Sequence, residues 1–70
     1  MNFNEEKFNE LLAKKKILRK DLCKTINMNP STMHRTINFN NGDFRVVDIA
    51  NMAKVLGISI VEFLEVYENE

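Results

Sequence analysis

Several residue types are scarce in this sequence, and each shortage excludes a class of protein. Cys23 is the only cysteine among 70 residues, which excludes an internal disulfide and suits a reducing cytosol. The most apolar run, VLGISIV, is far shorter than the roughly 20 residues that a membrane-spanning helix needs. Residues 1–9 are polar and charged, unlike an export signal. We therefore expect a soluble, cytoplasmic protein without membrane contact.

The residues that catalysis and cofactor binding require are scarce as well. Histidine occurs once and glycine twice, and the sequence contains no nucleophile–base set, metal-ligand cluster or glycine-rich phosphate loop. A domain of this length buries only about 60% of its unfolded surface, which leaves little room for a deep catalytic cavity. We expect residues 1–70 to form one domain that is not an enzyme and uses no cofactor, metal or small-molecule substrate.

The net charge is zero, but the two halves of the chain differ in sign. Residues 1–37 contain eight basic and four acidic side chains, a balance of +4. Residues 38–70 contain two basic and six acidic side chains, a balance of −4. Such asymmetry is typical of a protein with one face for a polyanion. A solvated surface of uneven composition would give the same count, so charge alone leaves both interpretations open.

Apolar residues recur at helical spacing along the chain, and no run alternates as a β-strand would. This pattern predicts an all-α fold, a compact bundle of five short helices. We place the helices at about residues 5–15, 19–26, 30–38, 44–56 and 60–67. The fourth helix is apolar on nearly every side, which predicts a central and buried position.

The predicted helix ends carry local signals. Residues whose side chains can cap a first turn stand at four helix starts: Asn4, Asn29, Asp43 and Ser59. Gly57 is expected to end the fourth helix, since glycine readily adopts the left-handed conformation found there. The tail 68–70 is expected to fray.

The second and third helices have the features of a helix-turn-helix, over about residues 19–38. Cys23 is small where the two helices should touch, and Asn27 tolerates the positive φ that the turn requires. Met33 and Ile37 should point inward from the third helix. Its opposite side then carries side chains that donate and accept hydrogen bonds, which are suited to reading a polar surface.

Two segments, LRKDLCKTINMNPSTMHRTIN and VVDIANMAKVLGISIVEFLE, resemble the phage repressor and Cro type of helix-turn-helix regulator. This family is also called Xre-like and has the lambda-repressor-like fold. The resemblance covers about Phe8 to Glu65. It implies sequence-specific binding to double-stranded DNA by a small transcriptional regulator, a repressor, with the recognition helix at about 30–38 in the major groove.

The resemblance also implies which residues meet DNA. It places Ser31, His34 and Arg35 where the family reads base edges. Arg19 stands at the family's phosphate-contacting glutamine, and Thr36 stands where many members have an apolar residue that Ile37 would replace here. The full candidate set for DNA contact is Arg19, Lys20, Asn29, Ser31, Thr32, His34, Arg35, Asn38 and Asn40.

Residue chemistry leaves alternatives open for these candidates. Arg35 could bind guanine O6 and N7 with two hydrogen bonds, neutralise a phosphate or lie in solvent. Ser31 and Thr32 suit a phosphate at the helix N-terminus, but they could serve only to cap it. Asn40 could reach the DNA backbone or belong to a plain turn. Lys24 and Arg45 are further possible phosphate contacts.

A single recognition helix reads few base pairs, so useful specificity generally needs two half-sites and a symmetric dimer. The fifth helix, through Val61, Val66 and Tyr67, is our candidate for the homodimer surface. The acidic half of the chain should then point away from the DNA.

The alternative function is a protein-interaction module of the same fold, antitoxin-like or an anti-repressor partner, with weak or no DNA binding. The neutral net charge and the residues Leu18, Arg19 and Thr36 favour it. Convergence of basic side chains on the face that carries Ser31, His34 and Arg35 would favour DNA binding instead.

Overall fold

The computed structural model describes residues 2–68, which form five α-helices. The helices are α1 (Glu5–Lys15), α2 (Arg19–Thr25), α3 (Pro30–Phe39), α4 (Val46–Leu56) and α5 (Ile60–Phe63), and a 3-10 turn follows at Leu64–Val66. The predicted all-α class is confirmed. None of the helices within residues 2–68 is long and apolar enough to cross a membrane.

Most of the helix ends predicted from the sequence are found in the structure. The Asn4 side chain accepts a hydrogen bond from the backbone N–H of Lys7 at 3.0 Å, which caps α1. The Ser59 hydroxyl accepts one from the N–H of Glu62 at 3.0 Å, which caps α5. Gly57 has φ 70° and ends α4.

The start of α4 differs from the prediction. Asp43 does not cap the helix, which begins at Val46 and has no side-chain cap. The reason is a turn that takes up the preceding residues, in which the Asp43 N–H donates to the Asn40 carbonyl at 3.0 Å. Val46 is 79% exposed, so the expectation that α4 is buried on nearly every side is also wrong.

The helix-turn-helix is held together by the packing of α2 against α3. The Cys23 sulfur lies 3.4 Å from that of Met33, and both side chains are fully buried. Asn27 has φ 59° in the turn between the helices, as predicted. Burial raises the pKa of the Cys23 thiol. This residue is therefore a small protonated packing group, the role that a close helix crossing requires.

The two chain ends form a short antiparallel pair that the sequence did not predict. Strand β1 (Asn2–Phe3) pairs with β2 (Tyr67–Glu68). Two residues are too few to show the alternation of a strand. The Asn4 amide donates to the Glu68 carboxylate at 2.6 Å, so the expected fraying is wrong for Glu68. The rest of that tail, residues 69–70, lies outside the described residues.

The prediction that Val66 belongs to the dimer surface is wrong. Val66 is only 3% exposed, and its carbonyl accepts a hydrogen bond from the Asn4 N–H at 2.7 Å. The prediction assumed a continuous α-helix, but the chain tightens into a 3-10 turn after Phe63. Because a 3-10 helix has about 3.0 residues per turn rather than 3.6, Val66 rotates inward and Leu64 outward.

Candidate nucleic-acid interface

One side of α3 faces away from the protein core. Met33 and Ile37 are buried on its inner side. An α-helix turns by about 100° per residue, so Arg35 lies opposite both of them. We call the exposed side the outer face of α3; its members are Ser31, Thr32, His34, Arg35, Asn38 and Phe39. The Arg35 guanidinium has no hydrogen-bond or ion-pair partner within residues 2–68, so it is available to a ligand.

The N-terminus of α3 is capped from within the protein. The Asn29 side chain accepts a hydrogen bond from the Ser31 N–H at 2.8 Å, and Pro30 is the first helical residue. This bond uses the Asn29 amide oxygen. The Asn29 amide N–H2 and the Ser31 hydroxyl remain as donors at a helix end that attracts anions.

Two polar side chains of the outer face brace each other. The Asn38 amide nitrogen lies 3.1 Å from the His34 Nδ1 atom and donates to the His34 carbonyl at 3.0 Å. When Nδ1 accepts from Asn38, the neutral ring carries its proton on Nε2. In that tautomer the Nε2 proton of His34 is available as a donor, and Asn38 holds the ring in place.

Thr36 is half-buried next to the inner side of α3. Its hydroxyl donates to the Thr32 carbonyl at 2.8 Å, which satisfies it within the helix. Ile37 is buried beside it, and its replacement of the family's apolar residue stays a prediction.

Arg19 does not lie free for a phosphate. Its guanidinium donates to the Asn9 amide oxygen at 2.6 Å and to the Glu5 carboxylate at 3.2 Å. The same group lies 5.3 Å from the centre of the Phe8 ring. Arg19 thus fixes the start of α2 to α1, while its neighbour Lys20 is exposed.

A groove of about 360 Å³ runs beside α3. The turn before α3, α3 itself and the segment entering α4 line it, through Asn27, Met28, Asn29, Thr32, Thr36, Asp43, Phe44, Arg45 and Asp48. Lys24 lines a neighbouring depression that also contains Asn29. Two basic side chains, Lys24 and Arg45, therefore lie near the start of α3, but neither depression includes Ser31, His34 or Arg35. The expected convergence of basic side chains on that face stays a prediction.

An acidic residue in this groove is neutralised by its neighbour. Arg45 donates to both carboxylate oxygens of Asp48, at 2.9 and 3.1 Å, and this hydrogen bond and the Asp48 charge raise the Arg45 pKa. Asp48 is 6% exposed. Asp43 and Asp48 both line the groove, so the expectation that the acidic half lies away from α3 is wrong for these two residues.

The loop after α3 is held by the helix and by the N-terminal strand. The Thr36 carbonyl accepts hydrogen bonds from the Asn40 N–H at 3.3 Å and the Gly42 N–H at 2.8 Å. The Asn41 side chain accepts from the Phe3 N–H at 3.0 Å. These bonds fix the loop backbone and leave the Asn40 side chain exposed at the end of α3.

The family of the chain follows from its match to a known domain. A family model described as the Cro/C1-type HTH DNA-binding domain matches residues 7–69. The chain belongs to this family. No curated protein and no solved structure matches it. Membership makes the chain a helix-turn-helix DNA-binding domain of a regulator, and the predicted resemblance is confirmed.

The sequence prediction missed one member of the outer face of α3. The predicted third helix ends at about residue 38, whereas Phe39 is the last residue of α3 and is exposed. A signal was available, because Phe39 follows Ile37 and Asn38 without an intervening helix-ending residue. Among residues 2–68, no three histidine, cysteine or acidic side chains form a set that could hold a metal ion.

Proposed function

We propose that this protein is a sequence-specific, double-stranded-DNA-binding transcriptional repressor whose helix α3 lies in the major groove. The observation that carries the proposal is the placement of Arg35, opposite the buried Met33 and Ile37 and without a partner in the described chain. Repression requires only that the bound domain occlude a DNA site, so binding by itself suffices and no catalytic step is needed.

We assign the outer face of α3 two kinds of contact. Arg35 reads a guanine through O6 and N7, and His34 donates to a neighbouring base or phosphate. Ser31, Thr32 and Asn29 bind a phosphate at the helix N-terminus, where free N–H groups attract anions. Arg19 acts as a brace through its bonds to α1 and makes no direct contact.

The remaining phosphate contacts come from basic side chains around α3. Lys24 lies beside its start and Lys20 is exposed on α2, whereas Arg45 is already bonded to Asp48 and is a weaker candidate. Asn40 reaches the backbone from the loop after α3. These contacts supply most of the affinity, and salt weakens them because phosphate binding releases condensed counterions.

We further propose that two copies bind an inverted repeat, with half-sites about 34 Å apart. The homodimer surface lies on α5 and the turn after it. Three of its apolar side chains are exposed, namely Ile60, Val61 and Leu64, and Tyr67 is half-buried beside them. Val66 is no part of this surface because it is buried.

A protein-interaction role is the second candidate. Val46 and Val61 are 79% and 77% exposed, which suits a protein contact better than a phosphate contact. DNA binding would then be weak or absent.

The test is selection from a random duplex DNA pool at about 50 and 200 mM salt. We expect enrichment of an inverted repeat and affinity that falls by at least about tenfold between the two salt concentrations. Arg35→Ala should lose the preferred sequence. The control is Lys14→Ala, which removes the same charge from the groove between α1 and α5, away from α3. This variant should still select the preferred DNA sequence. A folded protein that enriches no sequence at either salt concentration would contradict the proposal and favour the protein-interaction role.

A further inference from the structure

Phe39 is set apart from the other phenylalanines of the chain. All five lie within residues 2–68. Phe8, Phe44 and Phe63 are buried, and Phe3 packs against the core, whereas Phe39 is 75% exposed. A ring held in water is unfavourable unless a contact removes it from water. Val46 and Val61 are as exposed as Phe39, but Phe39 is the large apolar side chain that lies on the outer face of α3.

The Phe39 ring is held in place although it is exposed. It meets the His34 ring edge-on, with centres 6.2 Å apart and planes at 78°. His34 is in turn bonded to Asn38 on the same helix. A ring fixed by such contacts loses less entropy when it binds than a freely rotating one.

The position of Phe39 points toward the same ligand as Arg35. The two residues are four apart, so they lie one helical turn from each other on the outer face of α3, with Cβ atoms about 5–6 Å apart. A ligand that spans one helical turn of the outer face would meet both side chains. The other members of the outer face are polar, and Phe39 is its one apolar group.

The major groove offers one apolar group, the C5 methyl of thymine. A phenyl ring cannot bind a phosphate oxygen or accept a base N–H through a heteroatom, so the methyl is the contact that its chemistry suits. We propose, resting on the DNA binding proposed above, that Phe39 determines specificity by packing against a thymine methyl group. This thymine lies within about two base pairs of the guanine that Arg35 reads, because base pairs rise by about 3.4 Å.

The experiment removes the methyl group without changing base pairing. Each thymine of the selected site is replaced in turn by deoxyuridine, and binding is measured for wild type, Phe39→Ala and Phe39→Leu. The affinity of wild type should fall about fourfold per half-site when deoxyuridine replaces thymine at one position. This factor is the equivalent of about 0.8 kcal/mol for one buried methyl-sized group. Phe39→Ala should not distinguish the two duplexes, and Phe39→Leu should lose an intermediate factor.

The controls separate this inference from the proposed function. Phe39 is exposed, so Phe39→Ala should fold with a Tm within about 4 °C of wild type. If wild type selects a site but binds every deoxyuridine duplex as tightly as the parent, or if Phe39→Ala keeps the thymine preference, Phe39 does not read a methyl group. An effect of Phe39→Ala on oligomeric state alone would place the ring in a protein interface and overturn the inference. If wild type selects no site, the proposed function itself fails.

Discussion

The inner side of α3 is tied to the rest of the protein, whereas its outer face is held by α3 alone. On the inner side Met33 contacts Cys23 of α2, and Ile37 is buried beside it. On the outer face His34 contacts Asn38 and Phe39, which belong to the same helix. Stability and binding therefore depend on different residues of α3, since those that stabilise the fold are not those available to DNA. Substitutions on the two sides should therefore fail in different ways.

The largest effect is expected on the inner side. Met33→Asp places a carboxylate in a site that is fully buried against Cys23. Burial of an unpaired charge should cost more than about 4 kcal/mol, enough to unfold a domain of this size. Circular dichroism should report the loss of helix, and a folded Met33→Asp protein would show that the inner side tolerates charge.

The loop after α3 should be the next most sensitive region, and the two glycines provide a matched test. Gly42 and Gly57 have φ 69° and 70°, so alanine is strained at both. A Cβ at Gly42 would clash with the Phe3 ring, whereas nothing lies within 4 Å at Gly57. We expect a loss of about 3 kcal/mol for Gly42→Ala and about 1 kcal/mol for Gly57→Ala in urea unfolding. Equal losses would mean that the contact between Phe3 and Gly42 contributes nothing.

A substitution on the outer face should leave stability unchanged and affect binding. Arg35→Ala should weaken specific DNA binding by about 1–3 kcal/mol and relax preference at one base position. Its free energy of unfolding should stay within about 0.5 kcal/mol of wild type, because the guanidinium has no partner within residues 2–68. An equal loss on every DNA sequence would make Arg35 a phosphate contact.

The smallest of these effects is expected for the Tyr67 hydroxyl, which joins strand β2 to the loop after α3. Tyr67 donates to the Gly42 carbonyl, and Tyr67→Phe should lose about 1 kcal/mol of stability at neutral pH. Burial, together with the Asp43 charge, raises the pKa of Tyr67 above its ordinary value of 10.0. The folded state thus holds this proton more tightly than the unfolded state.

The stabilising contribution of Tyr67 is therefore present below about pH 10 and is lost as the pH rises through the folded-state pKa. Urea unfolding at about pH 9 and 11 measures it as the difference between wild type and Tyr67→Phe. That difference should be smaller at the higher pH. A difference that grows with pH would contradict the assigned direction.

Features that depend on neighbouring residues, such as helix starts, were predicted correctly from the sequence. The starts of α1, α3 and α5 followed from capping side chains at Asn4, Asn29 and Ser59, whose partners lie two or three residues away. The inward positions of Met33 and Ile37 followed from helical spacing. These features need only a few neighbouring residues, so they are visible in a single sequence.

The sequence could not predict what long-range contacts determine. The strand pair joins residues more than sixty positions apart, and the Asn4 N–H donates to the Val66 carbonyl at the end of the 3-10 turn that buries Val66. Arg19 is held by Glu5 and Asn9 on another helix, which no local pattern reveals. Asp43 has the side chain of a helix cap, but it lies in a turn in which its N–H donates to the Asn40 carbonyl, and α4 begins three residues later. The polar outer face was predicted, and Phe39 was missed because the end of α3 was placed one residue too early.

The most direct test of the account is an NMR titration of the protein with the duplex that the selection yields. Amide and side-chain signals of the outer face of α3 should shift most, and nuclear Overhauser contacts should join Arg35 and Phe39 to base protons of the major groove. Signals of the buried pair Cys23 and Met33 should change little. Contacts that cluster instead on α5, with the α3 signals unmoved, would contradict the claim that α3 reads DNA.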